Sequence, residues 1–462
     1  MFHSNSLTIS AKRCVLSLVL FSFIFLLWTT IRKLELRSPT GHWLISSFDR
    51  GPSPTPRPPH ELKPFTDIFK SGKIYPISAY YEPNRRAVRI FFLKHINTQP
   101  EIFCSLSLSS LLGLVVLNTS RLRTRSRDGS PFQFEALRDF REQYRGYVAY
   151  CDLPPYISTN VGDYSLFIQL HMKEASETVE LRVQTGRLGL NSDEPKHRIS
   201  MCISPWFNTN SFGPEFIVEY IELHRRMGAT QFVIYLTEEP HPNVKRVLDA
   251  YIADGPPSID GDNRLFEIKL LSWILPIESP FNATWYFAQI LCFNDCLHRI
   301  GSNSKYILFA DLDEVLVPDR SLPARYGPLP TWNDVIDKAE ESPWYKSFPT
   351  MCFSSYYFPP PTGNNSEEKS MFDRVNATVE TYPERKKCMV RPSDVEEVDV
   401  HWPKRPPDFR SSEDLATIFH YRICLRDNFD LCSPDTRYAP NHRLAAYRNL
   451  TSTATSLQLS IL

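Results

Sequence analysis

The stretch Lys305-Tyr-Ile-Leu-Phe-Ala-Asp311-Leu-Asp313-Glu314-Val-Leu-Val-Pro318 decides how the rest of the chain is read. Tyr306 to Ala310 is a short apolar run of aromatic and aliphatic residues, the pattern of a buried strand. It ends in two aspartates one residue apart. Side chains alternate along an extended backbone, so Asp311 and Asp313 are expected on one side, with Leu312 opposite. Two carboxylates converging at the end of a buried strand need a counter-charge. A divalent cation supplies one, because hard cations take oxygen ligands and share them with a substrate's phosphates. An isolated Asp-x-Asp is more often a helix or turn start with acidic residues in its first turn. The strand in front of this pair, and the pattern around it, favour the ligand reading.

Upstream the pattern alternates between strand and helix. Met201 to Ser204 reads as a short strand, followed by a loop of proline, asparagine and glycine. Pro214 opens a helix with Phe216, Tyr220, Leu223 and Met227 at helical spacing, and Gly228 closes it. Gln231 to Leu236 is a strand, Asn243 to Ala253 a helix stopped by Gly255, and Leu265 to Leu271 a third strand. Thr284 to Arg299 reads as a helix leading to Gly301 and then to the aspartate strand. The class is therefore α/β: a mostly parallel sheet with helices on both faces. Ligands bind such sheets at the carboxyl ends of the strands. Asp311 and Asp313 stand at one of those ends, and the loop from Ser204 to Gly213 at another.

Further out the pattern changes. Residues 73–190 hold short strand-like runs split by polar turns, such as Ala87 to Leu93, Leu111 to Leu117, Tyr147 to Tyr150 and Tyr164 to Leu170. They predict a β-rich, sandwich-like antiparallel module for binding or spacing. Residues 32–72 read as an exposed stem, since Gly51-Pro-Ser-Pro-Thr-Pro-Arg-Pro-Pro59 can build neither a helix nor a central strand. Residues 15–31 are almost wholly apolar, flanked by Lys12-Arg13 and Arg32-Lys33, and just long enough to cross a bilayer. No small-x-small cleavage site follows, so this segment reads as a transmembrane signal anchor behind a cytosolic tail, 1–14. Five Asn-x-Ser/Thr triplets, at Asn118, Asn282, Asn364, Asn376 and Asn449, lie beyond it. So do nine of the 10 cysteines, which fits an oxidising lumen and a type II topology. Cys352 with Cys388, Cys424 with Cys432, and Cys104 with Cys151 are candidate pairs. Cys292 and Cys296 share a helix face, a poor geometry for bonding each other, and one of them is a candidate partner for Cys202; the spacing does not fix the connectivity. With 462 residues the chain exceeds one core. Lys+Arg and Asp+Glu are both 52, and this balance gives no sign of a nucleic-acid partner.

Several segments carry a resemblance, in order along the chain. They are Cys202-Ile-Ser-Pro-Trp-Phe, Glu215-Phe-Ile-Val-Glu-Tyr-Ile-Glu-Leu-His with Met227-Gly-Ala-Thr-Gln-Phe-Val-Ile-Tyr, and Gln289 through Asn294-Asp-Cys296. Phe309-Ala-Asp-Leu-Asp-Glu314 and Phe419-His-Tyr-Arg422 complete the set. Together they resemble glycosyltransferase family 92 from Ile199 to Arg448, with Tyr220 standing where a tryptophan is expected. Tyr75-Pro-Ile-Ser-Ala-Tyr-Tyr81 resembles the β-rich region that precedes the catalytic domain in that family. The resemblance implies a GT-A-type domain over 196–450, a UDP-sugar donor (UDP-galactose in known members), Mn²⁺ dependence and inverting transfer. A Golgi membrane enzyme acting on a glycan or glycoprotein acceptor follows.

On that reading Asp313 coordinates the metal, and Asp311 is a second ligand or a ribose contact. His401, in Val398-Asp-Val-His-Trp402, is taken as the third ligand, with His420 as its rival; either is otherwise a satisfied core histidine. Ser204 and Pro205 are assigned to the donor. Arg422 and Arg385-Lys-Lys387 are candidates for phosphate oxygens, although a basic run is usually a solvated face. Inversion needs a general base; neither Glu314 nor Asp295 is assigned that role. Two alternatives compete. Strand-Asp311-x-Asp313 also matches the first motif of haloacid-dehalogenase-like phosphatases, with Asp311 as nucleophile, but no paired acidic motif follows Asp313. A non-catalytic lectin-like membrane protein would need only the β-rich module. The topology makes a direct prediction: protease added to intact microsomes should spare the body of the protein, and glycosidase should shift its mobility. A body digested without detergent would exclude a lumenal location.

Overall fold

A computed structural model describes Phe69 and residues 73–448, except 111–112, 117–119, 122–134, 138–141, 154–164, 174–176, 185–193, 209–212, 256–264, 360–369, 375 and 423–436. The anchor segment, most of the stem, and Cys424 and Cys432 lie outside the described residues. No helix among the described residues is long and apolar enough to cross a membrane.

The chain is mixed α/β, with two nine-stranded sheets. The first comprises β1 (Ile74–Glu82), β2 (Ala87–His95), β3 (Ile102–Ser110), β4 (Gly113–Val116), β5 (Ser120–Arg121), β6 (Glu135–Ala136), β7 (Tyr144–Asp152), β8 (Ser165–Met172) and β9 (Glu177–Gln184). Its order is β4-β3-β8-β9-β1-β2-β7-β6, with β5 on β3. The pairings are antiparallel apart from a short parallel contact, Ala79 with Val183 and Tyr80 with Gln184. β1 is buried at every position, because both of its faces are covered. Ile74, Ala79 and Tyr81 pack with the β3-β8-β9 side, while Tyr75, Ile77 and Tyr80 turn toward the second sheet. The Cys104–Cys151 disulfide joins β3 to β7.

The second sheet is built from β10 (His197–Trp206), α1 (Pro214–Met227), β11 (Gln231–Leu236), α2 (Pro242–Asp254), β12 (Glu267–Ser272), α3 (Gln289–Ile300) and β13 (Ser304–Ala310). It continues with β14 (Glu314–Pro318), α4 (Trp332–Glu341), β15 (Thr350–Tyr357), β16 (Tyr382–Val390) and β17 (Ala416–His420). The order is β12-β11-β10-β13-β16-β15-β17-β14, with Arg410–Ser411 added beside β15. β12, β11, β10 and β13 are parallel; β16 then runs against β13, and β14 against β17. Alternation sorts the two faces. Ile199, Met201, Ile203, Phe232, Ile234, Tyr306 and Leu308 pack with α1, α2 and α4. Cys202, Val233, Tyr235, Ile307 and Phe309 face α3. Pro214 and Gly228 bound α1 as its sequence implies, Gly228 taking φ 117° where a side chain would be strained.

Helix α3 is buried nearly all round, as a helix held between two sheets must be. It starts later than its sequence pattern predicts. Tyr286, Phe287 and Ala288 have φ of 42°, 55° and 57°, a left-handed turn that delays the helix to Gln289. Cys296 is bonded to Cys202 on β10, and Cys292 is a buried free thiol. Asn294 pairs with both the N–H and the carbonyl of Val398. Asp295 is fully buried and accepts from Tyr80 Oη at 2.6 Å, Tyr235 Oη at 2.6 Å and Arg299 Nε at 3.0 Å. Tyr80 belongs to the first sheet and Tyr235 to the second, so one carboxylate ties both sheets to the helix. Burial alone would raise its pKa, but Arg299 and these hydrogen bonds hold it below the usual carboxylate value.

Removing one partner of such a buried pair strands the other. Asp295→Ala should therefore cost about 3–5 kcal/mol in urea unfolding, and Tyr80→Phe about 1–3 kcal/mol. An Asp295→Ala protein as stable as wild type would remove the joint. Acid sensitivity has a separate source. His224 on α1 packs between Tyr220 and Trp332, bonds the Tyr220 carbonyl at 2.7 Å, and is pushed down to about 4 by burial. Because its folded pKa lies below the unfolded value, the unfolded chain takes the proton first. Stability should fall between pH 6.5 and 4 by up to ~1.4 kcal/mol per unit, and His224→Gln should flatten that slope.

Candidate active site

Strand β13 ends at Ala310, and the aspartates that follow do not continue it. Glu314 N–H bonds the Asp311 carbonyl at 3.2 Å, closing a turn. The reason is topological. β13 lies between β10 and β16, whereas the next strand, β14, pairs with β17 at the sheet's far edge. The chain must leave the centre of the sheet here, and Asp311 and Asp313 point to different partners rather than side by side.

Asp311 is half-buried and turned toward α3 and β16. Its Oδ1 accepts from Gln289 Nε2 at 2.8 Å, its Oδ2 from Lys387 Nζ at 3.0 Å, and the Ser204 hydroxyl also bonds it. Burial would raise this carboxyl, but the Lys387 ammonium and the Ser204 bond hold it down at about 2. Gln289 comes from the first turn of α3, Lys387 from β16, and Ser204 from the end of β10. There the register with β11 breaks between Ile203 and Trp206, where Pro205 lacks an N–H for the ladder. Lys387 is wholly buried and also lies 3.2 Å from Glu314 Oε2. Glu314 Oε2 in turn accepts the Asp311 N–H at 2.9 Å, and burial pushes the Glu314 carboxyl up in spite of Lys387. Tyr220 Oη donates to the Asp311 carbonyl at 3.3 Å, so the tyrosine at the position where tryptophan was expected supports the turn.

Asp313 faces outward, toward His420 at the end of β17. The Nε2–Oδ2 distance is 3.4 Å, and His420 Nδ1 lies 3.6 Å from Glu314 Oε1. His420 is 6% exposed and stacked on Tyr357 at 5.0 Å, yet neither ring nitrogen completes a hydrogen bond. Burial would lower its pKa, but Asp313 and Glu314 on either side raise it, so the imidazole sits between two carboxylates. Arg422, two residues on, is exposed, bonds the Tyr286 hydroxyl and feels the charges of Asp313 and Asp311.

Of the residues singled out from sequence, the structure brings together Asp311, Asp313, Ser204 and Arg422, with Pro205 at the bulge. His401 bonds the Lys386 carbonyl through Nδ1 at 3.0 Å, and burial together with Lys387 pushes its pKa down to about 3. It is half-buried and bonded to the β16 backbone, while the histidine within 4 Å of Asp313 is His420. Gln289, Glu314 and Lys387 gain roles that sequence reasoning missed. Lys387 left a signal: it runs directly into the apolar Cys388-Met-Val390 of a buried strand, where a lysine needs a carboxylate. Among the described residues no three His, Cys, Asp or Glu side chains converge as a ligand set.

The family model for glycosyltransferase family 92 matches residues 197–455, more than half of the chain and the whole of this site. The chain belongs to glycosyltransferase family 92. Membership of that family speaks against the phosphatase reading of Asp311. That carboxylate is in any case fully engaged by Lys387, Gln289 and Ser204. A curated relative, the β-1,4-galactosyltransferase galt-1 of Caenorhabditis elegans, is 26% identical over 196 residues, 42% of each chain. The matched part thus spans under half of that relative's length. Among solved structures, a Ruminococcus gnavus β-glucuronidase is similar at 10% identity and a TM-score of 0.18, covering 50% of this family 92 chain and 37% of its own. The purple acid phosphatase PPD1 of yellow lupin is similar at 10% identity and a TM-score of 0.16, covering 43% and 34%. Likenesses at that level carry no argument about fold or function.

Proposed function

We propose that this family 92 member is a Golgi enzyme of GT-A type, anchored by one N-terminal span. Its lumenal body would move a hexose from a UDP-sugar to a hydroxyl of a glycan or glycoprotein, with inversion and with a divalent cation, Mn²⁺. The observation that carries the reading is the facing pair of Asp313 and His420, whose ring nitrogens lack hydrogen bonds. A carboxylate and an imidazole, completed by diphosphate oxygens and water, suit such an ion. When bound, the ion neutralises the departing diphosphate. Galactose as the sugar rests on the family resemblance and on the name of the nematode relative. The lumenal location is supported by the exposure of Asn282 and Asn376, two of the glycosylation acceptors.

The chain's own residues divide the work. Asp313 and His420 present the ligand side of the turn, at the carboxyl ends of the parallel strands. Arg422, held by Tyr286, offers a guanidinium suited to two phosphate oxygens at once. Ser204 and Pro205 close the wall on the β10 side, where the nucleoside is expected. Lys387 holds both Asp311 and Glu314, and Asp313 faces His420. The base that takes the acceptor proton therefore comes from outside this cluster.

Donor screening of the full-length protein with and without Mn²⁺ tests the reading directly; transfer unaffected by chelation would exclude metal dependence. Asp313→Asn keeps the side chain's size but offers an amide oxygen, a poorer ligand for a hard cation. Transfer should fall by orders of magnitude while thermal stability stays near wild type. His420→Ala should weaken the response to Mn²⁺ more than His401→Ala does. Wild-type transfer by the Asp313→Asn protein would sink the assignment.

A further inference from the structure

Three carboxylates, Asp311, Asp313 and Glu314, crowd one turn, and one buried cation stands among them. Lys387 Nζ reaches Asp311 Oδ2 at 3.0 Å and Glu314 Oε2 at 3.2 Å, with no exposure of its side chain. The ammonium also lies 5.9 Å from the centre of the Phe293 ring on α3, a further favourable environment for a desolvated cation. Asp311 is further saturated by Gln289 and Ser204, and Glu314 by the Asp311 N–H. Asp313 is different. Its side chain is about as exposed as that of Asp311, 30% against 28%, but its near neighbour is a buried histidine at 3.4 Å in place of an ammonium. One side of the turn is tied by an ammonium, an amide and a hydroxyl, and the other meets the imidazole.

We propose that Lys387 is a positioning residue that acts as a permanent internal cation. It takes Asp311 and Glu314 out of the ligand set and leaves Asp313, with His420, as the protein's share of the cation site. This proposal rests on the metal-dependent reading above and refines it. Only one aspartate of the pair is a ligand. The other is a strut that holds the turn through Lys387. The charge balance also changes, since the ammonium cancels one of the three carboxylates. A turn without it would attract divalent cations more strongly in the absence of any nucleotide. In the wild-type site, affinity would then depend on the diphosphate, so that ion and donor arrive together.

The test is Mn²⁺ binding by electron paramagnetic resonance on the full-length protein, with and without UDP, beside a thermal melt of each variant. Lys387→Met should bind Mn²⁺ alone about tenfold or more tighter than wild type, because an unopposed carboxylate is freed within reach. UDP should then add little. Asp311→Asn should leave the Mn²⁺ affinity measured with UDP within about threefold of wild type, and Asp313→Asn should lower it by about tenfold or more. A merely structural lysine would lower stability and leave the affinity for Mn²⁺ alone unchanged; that result overturns the proposal. So does an Asp311→Asn loss as large as that of Asp313→Asn. If Lys387→Met does not fold, Lys387→Met with Glu314→Gln removes one stranded charge and should still show tighter binding of Mn²⁺ alone. A wild type that binds no Mn²⁺ even with UDP, while the Lys387 variant binds it, would sink metal-dependent transfer and keep the role of Lys387. No binding by either protein, with or without UDP, sinks both.

Discussion

A buried ammonium cannot stand alone. Lys387 lies inside the second sheet with no exposed surface, and taking its charge out of water is unfavourable by several kcal/mol unless carboxylates meet it. That requirement fixes where Asp311 and Glu314 sit, and through them the turn that ends β13. The turn in turn decides that Asp313 points outward to His420. Burial raises Glu314 and lowers His401, while Lys387 holds Asp311 down against its burial. Breaking the pair from either side leaves a stranded charge, which ties the integrity of the core to the geometry of the site.

Helix α3 carries this constraint outward. Its first residue, Gln289, touches Asp311, and its middle residue, Asp295, bonds tyrosines from both sheets. The strained left-handed turn at Tyr286 to Ala288 precedes it, fastened by Trp273 Nε1 on the Phe287 carbonyl and by the Ala288 N–H on the Thr284 hydroxyl. Such backbone persists only where its surroundings over-determine it. The same turn delivers Tyr286 to Arg422. The β-rich sheet is therefore part of the frame that aims the aspartate turn.

Much of this was legible in the sequence. The strand–helix alternation from Met201 to Ala310, the stop at Gly228 and the central place of Asp311 and Asp313 follow from periodicity and from the steric needs of proline and glycine. Three disulfides agree with pairings drawn from spacing and helix geometry. What escaped was set by contacts distant in the chain. Whether Asp311-x-Asp313 runs straight or turns depends on β14 pairing with β17, more than a hundred residues later. Which of His401 and His420 lies within 4 Å of Asp313 depends on which strand end faces the turn, and both occur in extended apolar settings. Tyr286 to Ala288 reads as helix because nothing local announces φ above zero in three bulky or β-carbon-bearing residues.

The position of α3 between the sheets also sets an order on biosynthesis. The face of β1, β2 and β7 that carries Tyr75, Ile77, Tyr80 and Phe91 is complete once Asp152 leaves the ribosome, yet α3 begins only at Gln289. At roughly 5–20 residues per second the nascent sheet waits on the order of ten seconds for the helix that covers it. Cys104 and Cys151 emerge early enough to close their disulfide in that interval, whereas Cys202 must wait unpaired for Cys296. During that wait the chain offers an apolar face and an open thiol together, the kind of surface that chaperones and thiol oxidoreductases bind.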